Sequence, residues 1–294
     1  MIKQLTPTIA DYELLDTGDG EKLERFGNYV VRRPEPQAIW HKSLDDRAWL
    51  GADASFLRDT KSEERGEWRM KPSMPSRWQV RFNYKDMHLS MRLALTSFKH
   101  VGIFPEQAAN WEFIYDTIHD LRASGIERPK VLNLFAYTGG ATLAARSAGA
   151  DVTHVDSVKQ VVTWSRENME SSGLDGVRWI VEDATKFVER EVRRGNRYHG
   201  IILDPPAYGR GANGEKWVLE DDICNMLEQC SKLLEGDNAF LVLNLYSMGL
   251  SSMLARTAVH QAFGEPKMEQ MGELYFEDRS AKQIPFGTYY RFRR

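Results

Sequence analysis

Val131-Leu132-Asn133-Leu134-Phe135-Ala136-Tyr137-Thr138-Gly139-Gly140-Ala141-Thr142-Leu143-Ala144-Ala145 is the stretch that decides the fold. Its opening is an apolar run too short for a helix. The run breaks at residues 137–140, and an Ala-rich pattern of helical spacing follows. Buried strand, tight turn and helix are predicted, the opening of a nucleotide-binding βαβ unit. Glycines at such a turn let the backbone approach a ligand closely, and exposed amides at the helix start favour a carboxylate or phosphate there.

Outward from this unit, strands and helices alternate. The spacing predicts strands at 151–155, 177–181, 200–203 and 239–245, and helices at 158–170, 184–194 and 219–234. Upstream, Trp111, Ile114, Tyr115, Ile118 and Leu121 fall on one helical face, which Ser124-Gly125 ends. This is the doubly wound α/β signature, whose ligands sit outside the carboxyl ends of the strands. Residues 274–276 and 289–292 read as a closing hairpin around a long connection.

The first hundred residues read differently. Tyr29-Val30-Val31 is a strand, and Trp78, Val80, Phe82 and Tyr84 alternate with polar residues before a turn at Lys85-Asp86. Leu89, Met91, Leu93 and Leu95 then alternate again, which predicts a hairpin; residues 58–71 are charged and poorly periodic, hence a loop. The expected organisation is a β-rich amino-terminal domain over 1–97, with possible RNA binding, and a Rossmann-like α/β domain over 98–294.

With 294 residues and 42% apolar content the chain can bury a full α/β core and a smaller appendage. A net charge of −3 gives no chain-wide attraction to nucleic acid or anionic membrane, so any such contact must be local. Cys224 and Cys230 share one predicted helix at a spacing that suits neither a metal site nor a disulfide framework. A cytoplasmic protein with no bound metal and no membrane span is expected.

A dinucleotide site would show G-x-G-x-x-G after the first strand, whereas this turn has adjacent glycines behind a tyrosine and a threonine. The second strand ends in Asp156, able to accept from both ribose hydroxyls of an adenosine. Asp183 follows the third strand and can accept from an adenine amine; the fourth ends in Asp204-Pro205-Pro206-Ala207-Tyr208. Three acidic residues at three successive strand ends suit a cofactor that carries a cation and no phosphate, as S-adenosylmethionine does. Asp156 and Asp183 have a plainer reading as helix N-caps, and the glycines as a simple turn. The two prolines lock the backbone and aim carbonyls into a pocket, and Tyr208 is a candidate for stacking on a substrate.

These motifs together resemble the class I S-adenosylmethionine-dependent methyltransferases, and most closely the branch that modifies bacterial large-subunit ribosomal RNA. The resemblance runs over about residues 98–250 and includes Val101-Gly102-Ile103-Phe104-Pro105-Glu106-Gln107 ahead of the α/β part. It implies that Asn133, Phe135, Tyr137, Thr138, Gly139 and Gly140 flank the cofactor, with Asp156 and Ser157 at the ribose and Asp183 at the adenine. Asp204 would lie beside the methionine end and face the substrate, with Phe104 and Gln107 covering the pocket. Relatives that methylate carbon 5 of cytosine carry a nucleophilic cysteine after the fifth strand. Here that strand continues Leu243-Asn244-Leu245-Tyr246-Ser247-Met248, and both cysteines on the preceding helix are expected to be buried and inert.

Direct methyl transfer to a nitrogen, or in second place an oxygen, of an RNA base is therefore expected, with Asp204, Pro205 and Tyr208 as the catalytic set. Candidate basic patches for RNA are Arg32-Arg33, the group Arg190, Arg193, Arg194 and Arg197, and the terminal Arg291-Phe292-Arg293-Arg294. The alternatives are a methyltransferase for a protein or small molecule, a nicotinamide-dependent oxidoreductase, and a non-catalytic RNA-binding protein.

Overall fold

A computed structural model describes residues 2–59, 65–211, 214–246 and 250–294. The chain divides into two units. One contains residues 1–5, 107–274 and 286–294; the other contains 6–106 and 275–285. The sequence division at 97/98 thus leaves residues 98–106 on the α/β side, whereas the structure gathers them into the amino-terminal unit.

In chain order, β1 (Ile2–Leu5) joins the large sheet of the α/β unit. The amino-terminal unit follows with β2 (Tyr12–Gly18), β3 (Glu21–Phe26), β4 (Tyr29–Pro34), α1 (Asp46–Leu50), β5 (Ala54–Arg58) and β6 (Gly66–Met70). Strands β2 to β6 pair in sequence order as one sheet, antiparallel except for parallel β4 and β5. β7 (Arg77–Tyr84) and β8 (Met87–Ala94) form the expected hairpin. Strand β6 corrects the loop expected at 58–71: the pattern is masked because its residues are mostly exposed or half-buried, so no apolar alternation marks it. Residues 60–64 of that loop lie outside the described residues.

The α/β unit continues with α2 (Ala108–Ala123), β9 (Lys130–Leu134), α3 (Gly140–Ser147), β10 (Asp151–Asp156), α4 (Lys159–Ser171), β11 (Arg178–Val181), α5 (Ala184–Arg193) and β12 (Gly200–Leu203). Then come β13 (Tyr208–Arg210), β14 (Lys216–Val218), α6 (Leu219–Leu233), β15 (Phe240–Leu245), α7 (Ser252–Phe263), β16 (Met268–Glu277) and β17 (Gln283–Arg293). Among the described residues the sheet order is β1-β16-β17-β15-β12-β9-β10-β11. β15, β12, β9, β10 and β11 run parallel, and β17 is antiparallel to β15. β12 is buried throughout and β9 from Val131 to Leu134, with Lys130 exposed, as central strands must be with helices on both faces. Leu132, Leu203, Phe187, Leu227, Leu241 and Val259 pack into one core cluster.

The closing hairpin has longer strands and a shorter connection than the sequence predicts, five residues between β16 and β17. Pro285 and Gly287, which fall in the expected connection, lie inside β17. Asp278 holds the turn by accepting from the amides of Ser280 (2.9 Å) and Lys282 (3.1 Å).

Candidate functional site

Register places the carboxyl ends of four strands side by side. Leu134 of β9 pairs with Val155 of β10 on one side and with Leu203 of β12 on the other, while Asp156 pairs with Val181 of β11. Adjacent strands lie about 4.8 Å apart, so the segments leaving these ends form one continuous rim. Successive strands β9 and β10 are neighbours, and β12 lies on the opposite side of β9. The turn after β9 therefore sits where the strand order reverses, the position at which open α/β sheets bind ligands.

That turn has an unusual backbone. Phe135, Tyr137 and Gly139 have φ of 55°, 47° and 92°. A non-glycine residue held there costs roughly 1–3 kcal/mol, so the surroundings must impose it. They do so with side chains from α4 and β10. Ser165 donates to the Tyr137 carbonyl at 2.6 Å, Asn168 donates to the Thr138 carbonyl at 2.9 Å, and the Tyr137 amide donates to Asp156 Oδ2 at 3.0 Å. Gly140 is required for space, because a Cβ there would lie 2.2 Å from the Trp111 ring.

Beneath the turn runs a buried polar ladder. Asn133 Nδ2 donates to Thr142 Oγ1 (2.9 Å), which contacts His154 Nδ1 (2.9 Å); His154 Nε2 faces Ser165 Oγ at 3.4 Å. Burial pushes the His154 pKa down to about 3, so the imidazole is neutral and links strand to helix without carrying charge. Asn133, at 2% exposure, supports the turn from inside the sheet. Ladder members Thr142, His154 and Ser165 have no motif and were not visible in the sequence.

The three acidic residues lie along the rim in different states. Asp156 is half-buried and accepts from the amides of Tyr137 and Val158 (2.9 Å); burial raises its pKa, and the two amides pull it back. Asp183 caps α5, its Oδ1 accepting from the Lys186 amide at 3.0 Å. Beside it, Glu182 is paired bidentately with Arg190 at 2.5 Å. Asp204 is half-buried at the end of β12, and Pro205 is buried behind it; Ser157, half-buried, follows Asp156. The four segments 135–140, 156–158, 182–184 and 204–208 contain no Lys or Arg of their own and carry four carboxylates, of which Glu182 is balanced by Arg190 and Asp156, Asp183 and Asp204 remain. Such a rim fits an adenosine that bears a positive charge and would repel a pyrophosphate.

Tyr208, 52% exposed, opens β13, whose short antiparallel pairing with β14 is a second feature absent from the periodicity. Trp217 of β14 donates from Nε1 to the Pro206 carbonyl at 2.8 Å, and its ring lies 4.8 Å from that of Phe135. A lone tryptophan in a Gly-rich polar loop was the available signal. Gln107 sits in a buried carboxamide cluster. Its Oε1 accepts from Asn110 (3.0 Å) and Asn244 (2.9 Å), and its Nε2 donates to the Tyr246 hydroxyl. Ser247 and Met248 lie outside the described residues. Phe104 belongs to the amino-terminal unit, where its ring is 5.0 Å from His100.

Several candidate basic patches are corrected. Arg33, 5% exposed, pairs with Glu24 at 2.7 Å, and Arg32 is engaged bidentately by Glu21. Arg291 is buried over the Phe113 ring, Arg293 pairs with Asp120, and Arg294 donates to the Glu235 carbonyl. Arg190 pairs with Glu182, Arg194 with Glu191, and Arg197 donates to the Leu234 carbonyl. Clustering in sequence counted these cations; it could not count the carboxylates and carbonyls that fold against them. The cysteines also part company: Cys230 is buried, with its thiol pKa pushed up by burial, whereas Cys224 is exposed. No helix among the described residues is long and apolar enough to cross a membrane.

Comparison with known proteins adds one family model and three relatives. A family model described as Conserved hypothetical protein 95 matches residues 95–245. A solved structure described as the SAM-dependent methyltransferase from Agrobacterium tumefaciens is 36% identical, with a TM-score of 0.90 over 99% of this chain and 93% of that one. Ribosomal RNA large subunit methyltransferase K/L of Shewanella frigidimarina is 29% identical over 80% of this chain. Ribosomal RNA large subunit methyltransferase K of Neisseria meningitidis is 30% identical over 74% of it. The chain spans 34% of the Shewanella protein's length and 59% of the Neisseria protein's.

Proposed function

The chain belongs to the Conserved hypothetical protein 95 family and to the class I S-adenosylmethionine-dependent methyltransferases, and from that premise we propose that it methylates a base of large-subunit ribosomal RNA. The observation that carries this reading is the strained turn at the switch point, pinned to Asp156 and set in a rim of carboxylates free of Lys and Arg. Bound S-adenosylmethionine supplies an electrophilic methyl group on a sulfonium.

In this reading Asp156 accepts from the ribose hydroxyls, and the neighbouring Ser157 completes that end. Residues 135–140 form the wall against which the adenosine and methionine lie, and Asp183 accepts from the adenine amine. Asp204 and the Pro205 carbonyl hold the N–H of an exocyclic amine or ring nitrogen, while Tyr208 stacks on the base. With S-adenosylmethionine bound, this would aim the nitrogen lone pair at the methyl group the cofactor would supply, and Asp204 would take the proton that the nitrogen gives up. No covalent enzyme intermediate is needed, in keeping with the inert buried thiol of Cys230. The names of the Shewanella and Neisseria relatives support an RNA substrate.

Asp204→Ala is expected to lower turnover by at least about 100-fold while cofactor affinity stays within a few-fold. The assay is methyl transfer to ribosomal RNA from cells lacking the gene, with digestion to nucleosides. One methylated nucleoside restored by the wild-type protein is the expected result, and no transfer to RNA overturns the reading.

A further inference from the structure

The short hairpin after the Asp-Pro-Pro segment has two unlike faces. Side chains alternate along a strand, and partners directly across an antiparallel pair share a face. Gly209 and Trp217 are such partners, and they form the inner face: Trp217 is 6% exposed and bonded to the Pro206 carbonyl, and a Cβ on Gly209 would lie 3.5 Å from the Pro206 ring. The outer face therefore carries Tyr208, Arg210 and Lys216. All three are exposed. Arg210 and Lys216 stand directly opposite each other, and like charges so placed repel. Arg210 Nε donates to the Tyr208 hydroxyl at 2.8 Å, which ties the exposed guanidinium to the exposed ring. Glu215, the nearest acidic residue in sequence, is occupied by Lys186.

We propose that this hairpin is an RNA-gripping arm, in which Arg210 and Lys216 bind backbone phosphates beside the nucleotide that Tyr208 stacks against. The inference rests on the methyltransferase reading above. A phosphate placed between the two cations removes their repulsion, and the arm's attachment to Pro206 holds this grip in register with the substrate end of the site. The rim of carboxylates takes a cationic cofactor, and the polyanion meets positive charge on the separate two-stranded hairpin that follows Asp204.

The experiment measures binding of a fluorescein-labelled mixed-sequence 12-nucleotide RNA to the full chain, wild type and R210A/K216A, from 50 to 300 mM salt. Single-strand binding weakens with a slope of about −0.7 per phosphate contact, so losing two contacts reduces the slope by about 1.4 and the affinity by about 25-fold near 100 mM salt. Affinity for S-adenosylhomocysteine, read by calorimetry, stays unchanged, and R210K/K216R restores most RNA affinity. An unchanged RNA affinity and slope in the double variant, with wild-type methylation of RNA intact, overturns the arm alone. Loss of cofactor affinity in parallel assigns the hairpin a structural role and also overturns it. A wild-type protein that methylates a protein substrate and shows no salt-sensitive RNA binding overturns both the arm and the reading beneath it.

Discussion

Carboxylates withdrawn from solvent, fully in the amino-terminal unit and by half at the strand ends of the α/β unit, meet opposite fates. In the amino-terminal unit Glu24, 1% exposed, accepts from Arg33 Nε at 2.7 Å and Nη2 at 2.8 Å and from the Tyr12 hydroxyl at 3.1 Å. Burial would raise its pKa, yet Arg33 and Lys22 outweigh that and hold it below the ordinary range. Glu106 of the same unit, 5% exposed, is pushed up to about 7, chiefly by burial, with Lys22 opposing. At the strand ends of the α/β unit, Asp156 receives two backbone amides and, among the described residues, no cation. A carboxylate saturated by guanidinium and hydroxyl is committed to the fold. One held only by amides keeps its charge for something that arrives.

The sharpest way to break this contrast is to remove one partner of the saturated group. Glu24→Gln leaves Arg33 buried without its counter-charge and is expected to destabilise the protein by about 3–5 kcal/mol, measured by urea unfolding with tryptophan fluorescence. A loss below about 1 kcal/mol would show that the pair is solvated in practice and that Glu24 is no more committed than Asp156.

Glu106 sharpens it through pH. Its folded pKa of about 7 lies above the ordinary 4.5, so the folded state binds this proton more tightly than the unfolded state does. Its contribution is fully present below pH 4.5 and is lost as pH rises through 7, amounting to about 3 kcal/mol by pH 8. Glu106→Gln should remove that slope and be the more stable form at pH 8; parallel profiles for the two proteins between pH 5 and 8 would count against a protonated Glu106.

Asp156→Asn gives the smallest effect on folding and a separate effect on binding. The side chain keeps its size, but one of the two oxygens that accept from Tyr137 and Val158 becomes an amino group facing a backbone N–H, so unfolding should shift by about 1–3 kcal/mol, while affinity for S-adenosylhomocysteine falls by about 1.5–3 kcal/mol, the worth of hydrogen bonds to a charged acceptor. Calorimetry and unfolding on the same preparation separate the two quantities. If stability drops and binding does not, Asp156 belongs with Glu24 and the contrast between the units disappears.

Much of the α/β unit is readable along the chain because its signals are local. The apolar run ending at Leu134, the Gly139-Gly140 punctuation and the helical spacing around Trp111 each need only a few neighbours to be recognised, and β9, α3 and α2 follow them within a residue or a few. Short or half-exposed pieces do not carry such a signal. β13 and β14 have three residues each, β6 has little burial to alternate, and α7 follows a segment with no clear cap. Among the site residues, the strand-end aspartates were placed by adjacency to a strand, and Gln107 was assigned to a pocket cover although its carboxamide is occupied by Asn110, Asn244 and Tyr246.

Chain order alone established the alternation of strand and helix, the turn without a dinucleotide pattern, and the carboxylates that end successive strands, since each depends on neighbours a few bonds away. Only the folded structure decided that Arg33 and Arg291 are internal, that His154 bridges strand and helix beneath the turn, and that Arg210 and Lys216 face each other across a hairpin. Those outcomes depend on which distant groups share a space, because desolvation and Coulomb attraction act through distance and burial, and neither is recorded in the order of residues.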